Sequence, residues 1–432
     1  MSVVRLEVSF SHVVLGFLVI IIMSEDGYIE ALIDEDEVFS SSGSEGMDYV
    51  DEDEPEGDDS SFFSAQLPDS ALCVAISPVD SFTVCVGCLD NSARLFRVDS
   101  TGCPQKSVEL SGHSDTVACV AFSFDGSIVS TGSYDGTIKL WSAQESGFGS
   151  ELMAVEDTGS DIECIVWHPS ELLMVAGCAD GSVWVWTIVA GSYVLNHMLR
   201  GHLHGTRICS LNFFGRGFYG LLSTSEEGAA IVWNLKTGQM VHKTRTFQAP
   251  VASASVHPSK PLYALGLENG WTYIMHAESG KQLHKMKTGG KEGEGDESSV
   301  EAVSFSQCGQ LLATATLDGI LEVWHIDHLG GYPRHKIVQP STVDEVAVEV
   351  GFTKLAWHPD SSLRCLVSVG KAGAVDVWNA MTGEHLTNLP GHRADVLDVA
   401  ITQFKDPQNR VVARIVSVCD EGFIKMFTVS QE

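Results

Sequence analysis

The chain has 432 residues, and its 57 acidic side chains outnumber its 26 basic ones, giving a formal net charge of −31 at pH 7. So large an acidic excess argues against direct binding of nucleic acid, which requires basic grooves. The 11 cysteines are an odd number without a spacing suited to disulfide pairing, which argues against secretion and favours a reducing compartment.

The N-terminus contains an apolar run at residues 13–22, which is too short to span a bilayer because a spanning helix needs about 20 apolar residues. Its flank carries Glu7 as well as Arg5, and no small-residue cleavage site follows. Met23 precedes a small residue and two acids, as at a natural start. We expect translation from Met23, with residues 1–22 a start-site extension and no stable membrane span.

Residues 25–59 hold sixteen acidic side chains and no Lys or Arg. A segment rich in Ser, Gly and acids cannot bury enough apolar surface to order itself. The composition predicts a disordered acidic segment over residues 1–59, followed by one folded domain over residues 60–432. The segment is interpreted either as a solvating tail or as a segment that attracts a strongly basic partner.

From residue 60 onward, one short pattern recurs eight times. A turn residue, usually acidic, is followed six positions later by an aromatic residue, once by Met, which ends an apolar strand. The pairs are Asp90/Phe96, Asp135/Trp141, Asp180/Trp186, Glu227/Trp233, Asn269/Met275, Asp318/Trp324, Ala372/Trp378 and Glu421/Phe427. A period of about 50 residues indicates a repeat architecture.

The sequence pattern of each repeat predicts four short strands and no helix. In the second repeat, Val117 to Phe122, Ile128 to Ser133 and Thr137 to Trp141 alternate with turns, and a further short apolar stretch separates it from the next repeat. Four-stranded sheets must stack to bury both faces, and a closed ring leaves only short edges. The fold is predicted to be all-β: an eight-bladed β-propeller closed by residues 60–67, with a seven-bladed ring as the alternative.

Gly112-His113, Gly201-His202 and Gly391-His392, together with the recurring Trp residues, resemble WD repeats. The resemblance implies a buried network that links the His, a strand hydroxyl, the turn Asp and the Trp indole. Only the second repeat has the whole set by this pattern: His113, Ser130 or Thr131, Asp135 and Trp141. These residues are predicted to be structural, because buried polar groups require partners.

Nothing in the sequence resembles catalytic machinery, so we expect no enzyme activity, no cofactor and no metal site. Residues 215–220 match the dinucleotide fingerprint but lead into a strand, not a helix. Cys85 and Cys88 form a single pair without a second one. Cysteines at equivalent places in the first strands of four repeats (Cys73, Cys119, Cys164 and Cys209) are expected to be small core residues.

Partners of such propellers bind the ring face formed by the loops before the first strand and by the second hairpin of each blade. These loops carry seven acids beyond the turn acids: Asp161, Glu163, Glu226, Glu297, Glu301, Asp395 and Asp398. Taken singly, each is equally consistent with ordinary solvated loop charge. Together they predict an acidic rim that steers a cationic segment inward.

Several short sequence segments also resemble the angio-associated migratory cell protein family: residues 161–169, 179–186, 293–301 and 382–392. The resemblance implies either of two non-enzymatic roles. The first is the role of a related fungal propeller, a chaperone for a basic large-subunit ribosomal protein during ribosome assembly. The alternative is a cytoplasmic scaffold in migration or angiogenesis signalling. We expect a monomer with protein partners and no direct nucleic-acid ligand, located in the cytoplasm, with nuclear or peripheral membrane locations as alternatives.

Overall fold

The computed structural model describes residues 19–24, 27–32, 59–155, 157–215, 220–288, 298–328, 333–339, 342–343, 346–347, 350–360, 362–405 and 410–430. The chain divides into two compact units, residues 1–47 and 48–432. In the first unit, Val19–Ser24 pairs antiparallel with Gly27–Leu32. The other residues of the predicted acidic segment, apart from Asp59, lie outside the described residues, so its disorder stays a prediction.

The second unit consists of eight four-stranded antiparallel sheets. We number them as blades 1 to 8 and their strands from the central axis outward. Blades 1 to 4 contain Ala71–Ile76, Thr83–Cys88, Ala93–Val98, Pro104–Leu110; Val117–Phe122, Ile128–Ser133, Ile138–Ser142, Glu151–Val155; Ile162–Trp167, Leu173–Cys178, Ser182–Val189, Ser192–Arg200; and Ile208–Phe213, Gly220–Ser225, Ala229–Asn234, Gln239–Lys243.

Blades 5 to 8 complete the ring. Their strands are Val251–Val256, Leu262–Leu267, Trp271–His276, Gln282–Lys287; Ala302–Phe305, Leu311–Ala315, Ile320–His325, His335–Val338; Phe352–Trp357, Cys365–Gly370, Val375–Asn379, Glu384–Asn388; and Val396–Lys405, Val411–Cys419, Phe423–Ser430 with Phe63–Gln66. Short additional elements are the 3-10 turns Glu145–Gly147, Ile326–His328 and Lys371–Gly373 and the paired strands Thr342–Val343 and Val346–Ala347.

Closure of the ring confirms the eight-bladed prediction and excludes the seven-bladed alternative. The inner strand of each blade packs beside the next, and that of blade 8 packs beside that of blade 1. The outermost strand of blade 8 comes from the N-terminal side of the domain: Phe63 pairs with Met426, and Gln66 pairs with Phe423. One blade therefore joins the two ends of the domain, and the ring has no open edge between blades 8 and 1.

The core lies between neighbouring blades. Second strands such as Thr83–Cys88 and Leu173–Cys178 are buried along their whole length, which explains their continuous apolar sequences. All eight landmark side chains, which lie in the third strands, are buried, from Phe96 to Phe427. They pack against the adjacent blade and so fix the stacking that single sheets cannot achieve alone.

The inner strands of all blades except blade 6 have a β-bulge at their second residue. In blade 3 the register shifts between Ile162 and Cys164, which leaves Glu163 as the bulge residue. The same shift in blade 4 falls between Ile208 and Ser210. Cys209 is therefore equivalent to Glu163 and not to Cys164, so its predicted equivalence with the other three cysteines is wrong. The equivalent positions are Ile162 and Ile208, directly before the bulge; Cys164 lies two residues after Ile162, whereas Cys209 lies one residue after Ile208.

Candidate functional site

One face of the ring, called here the upper face, carries the entries of the inner strands and the hairpins between second and third strands. A backbone hydrogen bond joins these two elements in every blade: Ala179 N donates to Asp161 O at 3.0 Å in blade 3, and Glu226 N donates to Arg207 O at 3.1 Å in blade 4. Residues far apart in sequence are thereby placed side by side at the mouth of the ring.

Three of the predicted rim acids come together on blades 3 and 4. Asp161 and Glu226 are exposed, and Glu163 is half-buried at the bulge. Burial raises the pKa of Glu163; the neighbouring Asp161 and Glu226 carboxylates act in the same direction, and Arg207 opposes them. Arg207 lies 3.8 Å from Glu226. One cation against three carboxylates leaves this part of the face with a negative potential.

Glu268, which was not among the predicted rim acids, extends this cluster. It occupies the hairpin position in blade 5 that Glu226 occupies in blade 4, and its backbone N–H donates to Pro250 O at 3.2 Å. Burial raises the pKa of the Cys209 thiol to about 12; Arg207 opposes that shift, and Glu226, Glu163 and Glu268 reinforce it. The sequence could have identified Glu268 as a rim residue, because it lies directly before the turn residue Asn269.

The remaining predicted rim acids behave differently. Glu301 is half-buried at the entry of the inner strand of blade 6, two blades from Glu226. Asp395 lies 3.2 Å from Lys371 and accepts a hydrogen bond from Ala372 N at 3.0 Å, so its charge is paired. Glu297 lies outside the described residues.

Asp398 does not lie on the rim but inside the inner strand of blade 8. The bulge between Val396 and Asp398 makes it the third residue of the strand. Its carboxylate accepts a hydrogen bond from Val74 N of blade 1 at 3.0 Å. Burial raises its pKa, whereas Lys354 acts in the opposite direction. The carboxylate of Asp398 thus ties the last blade to the first.

Apolar side chains at the hairpin tips complete the upper face. Leu89 of blade 1 and Leu317 of blade 6 are 45% and 42% exposed, at positions equivalent to Glu226. Tyr134 occupies the same position in blade 2 and is half-buried. The face therefore offers carboxylates on blades 3 to 5 flanked by exposed apolar groups, which suits a segment with both cationic and apolar side chains.

The network predicted for the second repeat has the following geometry in blade 2. Trp141 Nε1 donates to Thr131 Oγ1 at 3.0 Å, and Thr131 Oγ1 lies 2.8 Å from His113 Nε2. His113 Nδ1 lies 3.1 Å from Asp135 Oδ2, to which it donates. Of the two candidate hydroxyls, Thr131 is thus the one within this network. Ser130 instead accepts a hydrogen bond from Trp167 Nε1 of blade 3 at 3.0 Å.

Blade 4 has a second complete network, which contradicts the expectation that only the second repeat carries the whole set. Trp233 Nε1 donates to Ser223 Oγ at 2.8 Å, and Ser223 Oγ lies 2.8 Å from His202 Nε2. His202 Nδ1 lies 3.3 Å from Glu227 Oε1. The longer Glu side chain replaces the turn Asp, so a pattern restricted to Asp overlooked it.

Burial keeps the histidines of these networks neutral at pH 7. Burial lowers the pKa of His202 to about 4, with Glu227 opposing that shift. Burial also lowers the pKa of His392 in blade 8 to about 4, and Lys425 contributes in the same direction. In His113 and His202 the neutral ring donates from Nδ1 and accepts at Nε2, as the bonds of the two complete networks require.

The described residues contain no group of three or more His, Cys, Asp or Glu side chains placed to hold a metal ion. Within the same ranges, no helix is long and apolar enough to cross a membrane.

Three segments, residues 103–142, 150–187 and 288–325, match the family model described as WD domain, G-beta repeat. These three segments thus contain WD repeats, and the eight closed blades make the whole domain a β-propeller, a fold typical of non-catalytic protein-interaction modules.

The chain is similar to angio-associated migratory cell protein. It is 28% identical to the Homo sapiens protein over 189 residues, which is 41% of each chain. The Canis lupus familiaris protein is 28% identical over the same length, with 41% of this chain and 40% of that protein covered. The match thus spans about two fifths of the length of these relatives.

Solved structures of Sqt1 share the fold. Saccharomyces cerevisiae Sqt1 superposes with a TM-score of 0.75 at 24% identity, covering 86% of this chain and 100% of that one. Chaetomium thermophilum Sqt1, bound to the N-terminus of the ribosomal protein L10, superposes with a TM-score of 0.70 at 19% identity over the same fractions.

Proposed function

We propose that this protein is a non-enzymatic propeller whose upper face holds a cationic peptide segment, and that the segment belongs to a basic large-subunit ribosomal protein on its way to ribosome assembly. The observation that carries the proposal is the cluster of Asp161, Glu163, Glu226 and Glu268 around a single cation, Arg207. Nascent ribosomal proteins carry basic extensions that need shielding from RNA, and an acidic, partly apolar face provides such shielding.

Two observations support the choice of ligand. The fold matches that of C. thermophilum Sqt1, which was solved bound to the N-terminus of the ribosomal protein L10. The domain after residue 59 is itself acidic, with 25 basic against 40 acidic side chains, which disfavours a direct nucleic-acid ligand. We propose a monomer acting in the cytoplasm.

The test is titration of a fluorescently labelled basic N-terminal peptide of a ribosomal protein L10 at low and moderate salt. Binding should weaken steeply with salt, since exposed charges are screened over about 8–10 Å near physiological ionic strength. The variant Glu163→Gln with Glu226→Gln should bind several-fold more weakly. The variant Glu278→Gln with Glu384→Gln, which removes two exposed carboxylates away from the upper face, should bind like the wild type.

Equal affinities for wild type and the upper-face variant would reject the proposed site. The alternative role, a scaffold in migration or angiogenesis signalling, is favoured by the similarity to angio-associated migratory cell protein. A scaffold would retain its signalling partners in both variants, so a pull-down that compares the two variants distinguishes the roles.

A further inference from the structure

Blades 4 and 5 carry a concentration of positive charge that is unusual in this acidic chain. Residues 236–288 contain seven basic side chains (Lys236, Lys243, Arg245, Lys260, Lys281, Lys285 and Lys287) and two acidic ones (Glu268 and Glu278). Of these acids, Glu268 belongs to the upper face. Lys243 and Lys260 form ion pairs with Glu227 and Asp327. Arg245, Lys281 and Lys285 are exposed, in a chain whose net charge is −31.

Part of this charge lies in a groove between the outer strands of the two blades, Gln239–Lys243 and Gln282–Lys287. Trp271 and Tyr273 of blade 5 face blade 4 and pack against its core, with Tyr273 4.5 Å from Phe247 between ring centroids. The Lys285 ammonium lies 3.5 Å from the centre of the Trp271 ring. An aromatic floor thus carries a fixed cation that remains exposed to solvent.

Cations in the corresponding groove between blades 1 and 2 are neutralised. Arg97 and Lys106 lie over the Phe148 ring, at 5.3 and 5.4 Å from its centroid. Both also form ion pairs with Glu145. Arg97 is also paired with Asp80 at 3.2 Å, so the two cations of that groove face two carboxylates and leave no net charge for a ligand.

The groove between blades 4 and 5 differs in this respect. Within the described ranges, no carboxylate forms an ion pair with Lys285, Arg245 or Lys281, and all three side chains are exposed. Among the strands that the structure describes, Gln282–Lys287 of blade 5 has one neighbour, so its other side is an unpaired sheet edge. Exposed main-chain donors and acceptors next to uncompensated cations form a template for an extended anionic chain.

We propose that this groove is a second protein-binding surface, separate from the upper face, which takes an extended acidic peptide segment of another protein. The segment adds a strand to the edge of blade 5, its carboxylates meet Lys285 and Arg245, and its alternate side chains lie towards Trp271. Lysines on edge strands also serve to prevent aggregation. That role does not explain why the edge strand of blade 3, with Val194 and Leu195 exposed, has no Lys.

The experiment uses the full chain and a fluorescein-labelled peptide of about ten residues that alternates Glu with Val, long enough to cover one strand. Its Gln–Val counterpart controls for charge. Arg245→Glu with Lys285→Glu should weaken binding at least about tenfold, because the contacts become repulsive. Arg200→Glu with Lys405→Glu, exposed cations on blades 3 and 8, makes the same change in net charge and should stay within about twofold of the wild type.

A second measurement does not depend on the variants. Hydrogen exchange of the wild-type chain should slow in Gln282–Lys287 when the Glu–Val peptide is added, because the edge N–H groups become paired. The proposal would be overturned if the two charge-reversal variants lost the same affinity for the Glu–Val peptide, or if the Gln–Val peptide bound as tightly as the Glu–Val peptide. It would also be overturned if the peptide did not slow hydrogen exchange in Gln282–Lys287. The upper-face variant Glu163→Gln with Glu226→Gln should bind this peptide like the wild type, so failure of the two sites can be told apart.

Two further experiments test for other possible occupants of the groove between blades 4 and 5. If single-stranded polyuridine displaces the Glu–Val peptide and protects the same strand more strongly, the groove takes a nucleic acid and the proposal is wrong. If the peptide binds only when the acidic side chains of residues 25–58 are changed to Asn and Gln, the occupant is the chain's own acidic segment, and a partner protein is again excluded.

Discussion

Lys425, buried in the third strand of blade 8, forms an ion pair with Asp59, which lies just before the ring-closing strand. Burial acts to raise the pKa of Asp59, but hydrogen bonds from Lys425 and Ser61 outweigh it and lower the pKa. Ser60 N adds a hydrogen bond to Pro390 O at 3.0 Å. The point where the acidic segment joins the propeller is therefore fixed on the last blade by charge as well as by strand pairing.

We expect Asp59→Asn to destabilise the ring, because Lys425 would keep a buried charge without its counter-ion. The cost should be about 1–3 kcal/mol in the free energy of unfolding. Lys425→Met should be better tolerated, and the double variant should be more stable than Asp59→Asn alone. Urea denaturation of the four proteins gives the coupling energy. Strictly additive effects would show that the pair does not contribute to closure.

The two complete networks predict unequal responses to substitution of the landmark side chains. Trp141→Phe and Trp233→Phe each remove an indole donor to a buried hydroxyl, so each should cost about 1–3 kcal/mol. Met275→Leu in blade 5 changes the shape of a buried apolar group and should cost less than about 1.5 kcal/mol. Calorimetry that finds the same thermal shift for all three would contradict a role for the networks beyond packing.

The repeat offsets sufficed to predict the architecture, because each blade contains a hairpin of constant length. Side-chain roles at the rim were less predictable. Asp398 seemed equivalent to a rim acid, but the bulge in its strand places it against Val74 N. Glu268 and Leu317 reach the rim through hairpin tips that only the backbone bonds between loops bring to the strand entries. Local spacing predicts a blade, whereas a shared face depends on contacts between distant loops.

Stability should fall as the solution is made acidic, and His392 should account for part of the loss. Its pKa is about 4 in the folded chain, because of burial and the nearby Lys425, against an ordinary value of 6.5. The unfolded chain therefore binds more protons between these values, so the contribution is complete above pH 6.5 and is lost as the pH falls towards 4. It amounts to up to about 3 kcal/mol.

The variant His392→Asn tests this pH dependence. It should be less stable than the wild type at pH 7, because the contact of His392 Nε2 with Ser417 Oγ at 2.7 Å is changed, but its stability should fall less between pH 6.5 and 4. His284→Asn, on the outer strand of blade 5, is the control and should follow the wild type. Parallel curves for all three proteins would assign the acid sensitivity to other groups.

Arg414 is fully buried at the junction of blades 8 and 1, where its guanidinium lies 4.9, 4.1 and 4.6 Å from the ring centres of Phe62, Phe82 and Phe404. Arg414 Nη1 donates to Ser81 O at 3.1 Å. Burial lowers the pKa of Arg414 to about 10, with Asp80 opposing that shift. The side chain therefore contributes mainly as a flat group that fills an aromatic cage and joins the closing segment to both blades.

From this packing we expect the stability of variants at position 414 to depend on the volume of the side chain more than on its charge. Arg414→Met fills the cage with an apolar chain and removes a buried charge, so it should change the free energy of unfolding by less than about 1.5 kcal/mol. Arg414→Ala leaves a cavity between the three rings and should cost about 2–5 kcal/mol. Arg414→Lys should fall between them, since its ammonium is more strongly hydrated and harder to bury. Guanidinium denaturation that finds Met as costly as Ala would instead assign the stabilisation to the charge of Arg414 and its bond to Ser81.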